Sequence, residues 1–178
     1  MVLLKNFPKS FSIVHWGIAL CVIGSMISSL FVHPKNPVEL PIQIHVWIGY
    51  GVTLFLLCQW LLLSLKKYHF VRAHVFPYHF EGRQCILADL RMLLRGQLPP
   101  TGARKGLSGL VEGMGILLIS FMAVTGLIFH FAFVYSMDQI PLMLIIRDIH
   151  NFFSYFVWVF VIGHGGMAIL HHIMNLSK

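Results

Sequence analysis

The sequence predicts an all-α fold, an integral membrane up-down four-helix bundle with both termini on the cytoplasmic side (N-in/C-in). Three observations predict it. Hydrophobic residues make up 57% of the 178 and charged residues 11%, with a mean hydropathy of +0.79, which is the composition of a membrane protein. Four apolar stretches, residues 11–32, 42–65, 107–135 and 149–174, are each long enough to cross about 30 Å of hydrocarbon. Three of them contain no Asp, Glu, Lys or Arg, and the third in order contains one, Glu112.

The basic residues set the orientation. Lys5, Lys9 and Lys178 lie at the termini, and Lys66, Lys67, Arg72, Arg83, Arg91, Arg95, Arg104 and Lys105 crowd the connection 66–106. Only Lys35 and Arg147 fall on the opposite side. The asymmetry places the termini and the long connection in the cytoplasm of a bacterial inner membrane and argues against a nucleic-acid surface. The first stretch is longer than a signal-peptide core and lacks a small-residue cleavage pattern, so it reads as an uncleaved anchor. Cys21, Cys58 and Cys85 sit in two spans and the cytoplasmic connection, where disulfides are not expected. No C-x-x-C-H is present, which excludes covalent c-type haem attachment.

Each element follows in order. Span one opens with His15 and Trp16 one turn inside the inner boundary. A short link with Pro34, Pro37 and Pro41 then makes spans one and two antiparallel neighbours. Span two carries His45 and Trp47 near its outer end, and Gly49, one turn from His45, leaves room beside the imidazole. In the cytoplasmic connection, residues 83–95 place Ile86, Leu87, Leu90, Leu93 and Leu94 on one helical face, the pattern of a helix lying on the membrane surface, and Leu98-Pro99-Pro100 ends it. Span three holds Gly109, Gly113, Gly115 and Gly126, spacings that favour close helix approach, with Glu112 near its inner end and His130 near its outer end. Residues 136–148 form a brief outer linker, and span four returns inward to His171 and His172.

The histidines carry the chemistry. His150 and His164 are fourteen residues apart, so they share one helical face within about 40° and stand roughly 21 Å apart along the axis. Counting depth along alternating spans sorts four histidines into two levels, His45 with His150 outside and His15 with His164 inside. Each level then offers two imidazoles from different helices, the requirement for bis-histidine ligation of a b-type haem. Gly163, Gly165 and Gly166 thin the helix surface around His164, where a macrocycle would pack. His130 is a competing outer ligand, and His171 or His172 a competing inner one. His33, His69, His74 and His79 fall in loops and are expected to be solvated. A copper or zinc site would need three or four ligands at one depth, and Cys21 and Cys58 lie away from both levels.

Ile13-Val14-His15-Trp16, Ile44-His45-Val46, and His150 followed by Phe156-Val157, His164 and Ala168 through His171-His172 together resemble the bacterial cytochrome b561 family, four-helix dihaem membrane proteins. The resemblance covers nearly the whole chain. It implies that two non-covalent b haems are bound, the inner by His15 and His164 and the outer by His45 and His150. It also implies electron transfer to or from membrane quinone. Some members of the family oxidise superoxide and reduce ubiquinone, and others are cytochrome b subunits of hydrogenases and dehydrogenases. The stretch Leu90 to Gly96 resembles the second group, but that group's Gly-His-Asn-Pro element is replaced by Thr101-Gly102-Ala103-Arg104-Lys105-Gly106.

These features lead to a transmembrane electron carrier, not committed to an enzymatic activity, with lipid and quinone as its partners and a redox protein or a homodimer mate as further ones. Arg147, beside His150, is the candidate for a haem propionate. Glu112 is placed either near Lys105 at the interface or as a proton donor to an inner quinone site. A superoxide-collecting face should be positive, whereas Lys35 and Arg147 outside face Glu39, Asp138 and Asp148. The rival from another class is a non-catalytic haem-bearing anchor subunit.

Overall fold

A computed structural model describes residues 8–32, 40–100 and 105–176. Lys5, His33, Lys35, Glu39, Arg104 and Lys178 of the topology and histidine arguments lie outside them, as does most of 101–106. Six α-helices are present: α1 Lys9–Ser29, α2 Leu40–Ser64, α3 His69–Val75, α4 Phe80–Leu94, α5 Leu107–Val134 and α6 Pro141–Leu176, with one 3-10 turn, Lys66–Tyr68, before α3. Four of these helices, α1, α2, α5 and α6, are long and apolar enough to span a membrane.

Local chemistry sets the helix ends. Pro8 precedes α1 and its carbonyl accepts from the Phe11 and Ser12 amides. Proline also occupies the first turn of α2 and of α6, where a missing N–H costs no hydrogen bond. α4 ends in a Schellman motif rather than at its downstream prolines. Gly96 takes φ +70°, its N–H donates to the Leu93 carbonyl and that of Gln97 to Met92, both at 2.9 Å.

One expectation about the elements needs correction. Residues 141–148 are the first two turns of α6 rather than a linker. The helix spans 36 residues, about 54 Å, so its start stands outside the hydrocarbon, where Arg147 and Asp148 are tolerated. The protein itself covers little of the apolar face of α4. Gly82 and Asp89 are the buried positions, Ile86 and Leu93 are half-buried, and Leu87, Leu90 and Leu94 are exposed.

Close packing runs from α1 to α2, from α2 to α5, and from α5 to α6. Trp60 Nε1 of α2 donates to Ser120 Oγ of α5 at 3.0 Å. Among the four long helices, α6 packs closely on α5 only. A mid-depth cluster of Val22, Met26, Val52, Leu56, Ile119 and Val157 joins all four. Val22 follows His15 by seven residues, Val52 follows His45 by seven, and Val157 lies seven from both His150 and His164. Two helical turns therefore separate each histidine from the plug between the levels.

The inner end is closed by α3 and α4. Phe11, Leu63, Tyr68, Val71 and Val75 form a second core there, and Asp89 of α4, 2% exposed, accepts from the Leu107 N–H at 2.9 Å. A carboxylate from another helix thus satisfies a free amide at the positive end of α5. Asp89→Ala is expected to lower stability by about 1–2 kcal/mol, read as a lower thermal midpoint in detergent. An unchanged midpoint would show that this cap is dispensable.

Candidate haem sites

The helix arrangement brings the histidines together as two pairs. His15 of α1 faces His164 of α6 with ring centroids 6.1 Å apart, and His45 of α2 faces His150 of α6 at 6.4 Å. α6 stands off from α1 and α2 in its backbone, yet its two imidazoles reach theirs. An iron held about 2 Å from each of two ligating nitrogens puts the ring centroids roughly 6 Å apart. The ring planes cross at 64° and 90°.

The outer pair is oriented by hydrogen bonds that decide its tautomers. His45 Nδ1 lies 3.0 Å from the Ser25 carbonyl and 3.2 Å from Ser28 Oγ. A carbonyl only accepts, so Nδ1 carries the proton and Nε2 is left with its lone pair. Ser28 Oγ donates to the Ser25 carbonyl at 2.9 Å, which leaves it an acceptor toward the imidazole. His150 Nδ1 lies 2.9 Å from Thr125 Oγ1, whose proton is directed to the Phe121 carbonyl at 2.9 Å and that of Met122 at 3.1 Å. Both outer rings therefore present a bare Nε2, the arrangement found in metal-ligating histidines. Gly126 makes room for this geometry, because a Cβ there would lie 3.1 Å from His150 Cε1.

The inner pair is held by rings instead. Phe160 stacks on His164 at 5.3 Å and 10°, and a Cβ at Gly115 would run into the Phe160 ring. Trp16 meets His15 edge-on at 6.0 Å. At Gly49, Gly163, Gly165 and Gly166 an added Cβ would meet nothing within 4 Å, so these surfaces have room for a flat macrocycle. The donor chemistry and the room beside it both suit a haem at each level. Among the described residues no three His, Cys, Asp or Glu side chains converge as a metal site.

The competing histidines are placed elsewhere. His130 packs its ring on Tyr50, 5.7 Å away, and it is His45 and His150 that face each other. His171 is half-buried and His172 exposed near the end of α6, below the His15–His164 pair. Arg147, expected at a propionate, is partly exposed and directs Nε and a terminal nitrogen to Asp148 at 3.0 and 2.8 Å.

One expectation about the inner end is overturned. His74 is 3% exposed rather than solvated, because α3 folds back against α5. Its Nε2 lies 3.4 Å from Glu112 Oε2. Lys105, at the same inner end, pairs with Glu81 at 3.2 Å. His69 and His79 are exposed, as their loop positions suggested.

Sequence reasoning missed Ser25, Ser28 and Thr125, and assigned Gly126 to helix packing rather than to making room for His150. One signal was available: the Ser-x-x-Ser of α1 and the Thr-Gly of α5 fall at the depth of the outer histidines. Their partners belong to other helices, which spacing within one span does not reveal.

No curated protein and no solved structure matches the chain significantly. A family model described as prokaryotic cytochrome b561 matches residues 6–178. With that match over nearly its whole length, four membrane-length helices and two facing histidine pairs, the chain belongs to the prokaryotic cytochrome b561 family and is a multi-pass transmembrane b-type cytochrome of electron transfer.

Proposed function

We propose that this cytochrome carries electrons between membrane quinone and a donor or acceptor at one face of the bacterial inner membrane, using two b haems, the inner held by His15 and His164 and the outer by His45 and His150. The observation that carries the reading is the pair of ring separations, 6.1 and 6.4 Å, between helices that otherwise stand apart. When bound, haem supplies the one-electron chemistry.

The chain's own residues do the rest. His45 and His150 offer Nε2 with the Nδ1 proton fixed on the far side of each ring. The mid-depth valines and leucines exclude water between the levels and keep the dielectric low. We assign Arg147 to an outer propionate, for which it would exchange its Asp148 partner. A shallow apolar groove of about 320 Å³, lined by Gly24, Ile27, Ser28, Phe31, Leu40, Pro41 and Ile44, supports a lipid-soluble ring at the outer level, since Ser28 also touches His45. Glu112, paired with His74, acts as a tie between α3 and α5 rather than a proton donor.

The superoxide reading finds little support, because Arg147, the outer arginine of the described residues, is neutralised by Asp148. Purified protein is expected to show two haems b per chain by pyridine haemochrome and to be reduced by added quinol. A single haem, or none, rejects the paired-level reading. Two haems that quinol leaves oxidised would favour the haem-bearing anchor instead.

A further inference from the structure

We infer that Thr125 and Ser28, together with the Ser25 carbonyl, are positioning residues that bias the outer iron toward its ferric state through hydrogen bonds the inner pair lacks. This rests on the two-haem reading above and adds to it a difference between the two sites.

The geometry is one-sided. Both outer rings donate Nδ1–H to an oxygen whose own role is already settled. The Thr125 proton goes to α5 carbonyls at 2.9 and 3.1 Å, so the hydroxyl accepts from His150 at 2.9 Å. The Ser28 proton goes to the Ser25 carbonyl, so Oγ and that carbonyl both accept from His45, at 3.2 and 3.0 Å. Among the described residues neither His15 nor His164 makes such a bond. Their rings meet Trp16 and Phe160.

A ring N–H held by an acceptor makes the opposite nitrogen a stronger donor to its metal. Since reduction of a bound haem would lower its net charge by one, imidazoles made more electron-rich in this way would favour the oxidised form and lower the potential. The Nδ1 proton stays on nitrogen and no bond is made or broken. The Ser25 carbonyl and Ser28 Oγ at His45, and Thr125 Oγ1 beside the Met122 carbonyl at His150, would all act on a haem iron held between the two rings. Val157 and its cluster separate that site from the inner one by two helical turns on each side, which confines the effect to one level.

The test is an optical redox titration of the purified full-length holoprotein, with haem counted in each variant. His150→Ala identifies the outer wave as the one it removes. Thr125→Val, close in shape but without the hydroxyl, is expected to keep two haems and shift the outer wave to higher potential while the inner wave stays in place. Thr125→Ser is expected to restore it. Ser28→Ala should move the same wave in the same direction, and it carries the test should Thr125→Val not fold. An outer wave that does not move at full haem content, or two waves that move equally, overturns the inference. A wild-type count of one haem overturns the underlying reading instead, and the count separates the two failures.

Discussion

With two haems bound as proposed, replacing His150 by alanine is expected to halve the haem content, leaving the haem of the inner level. The reason is the way α6 is mounted. Its close packing is on α5, and toward α1 and α2 it presents His150 and His164 at two heights. Removing the His150 ring leaves His45 without a counterpart, and Thr125 loses the group it accepts from. Among the described residues no other histidine faces His45, and His130 rests on Tyr50. His164→Ala should remove the inner haem and keep the outer one, and the double variant both. Pyridine haemochrome counts on purified protein, with His130→Ala as the companion, read the result. If His150→Ala kept two haems while His130→Ala lost one, the outer ligand would be His130.

Gly109→Val combined with Gly113→Val is expected to detach α3 from the inner end of the bundle. A Cβ at Gly109 would run into the carbonyl oxygen of His74, and one at Gly113 into that of Val75. Both obstacles are backbone, which cannot rotate aside as a side-chain tip can. Val71 and Val75, 1% and 2% exposed, would be uncovered, and the His74–Glu112 contact would open. At roughly 1.5 kcal/mol or more for each valine returned to water, the loss is about 3 kcal/mol or greater. It would be measured as a lower unfolding midpoint in detergent and faster trypsin cleavage at Arg72. A double variant as stable and as protease-resistant as the parent would show that the glycine face is not what holds α3.

The glycines illustrate why some of this was legible and some was not. Their spacing in span three announced close approach, which is a property of one helix surface and so is written in local sequence. What approaches is α3, from a connection whose histidines looked solvated. His74 is buried because the chain turns back after α2 and lays a seven-residue helix against Gly109 and Gly113. A helix that short has too weak a periodicity to announce itself. The start of α6 was missed for a related reason: the charges of Arg147 and Asp148 mark where hydrocarbon ends, and a helix can run on past that boundary.

The sequence by itself determined the class, the four spans and the pairing of histidines by depth. Apolar length is tied to bilayer thickness, and helical rise converts residue number into height. Those are one-dimensional quantities, and a bilayer makes one dimension of the fold known in advance. Only the tertiary structure decided what surrounds each pair in the other two dimensions. That Ser25 and Ser28 meet His45, that Thr125 and Gly126 meet His150, and that Phe160 rather than a hydrogen bond supports His164 depend on which helix faces which. Helix rotation and neighbour choice in a membrane are set by close packing of small residues and by polar groups seeking partners, since lipid is as apolar as the bundle interior.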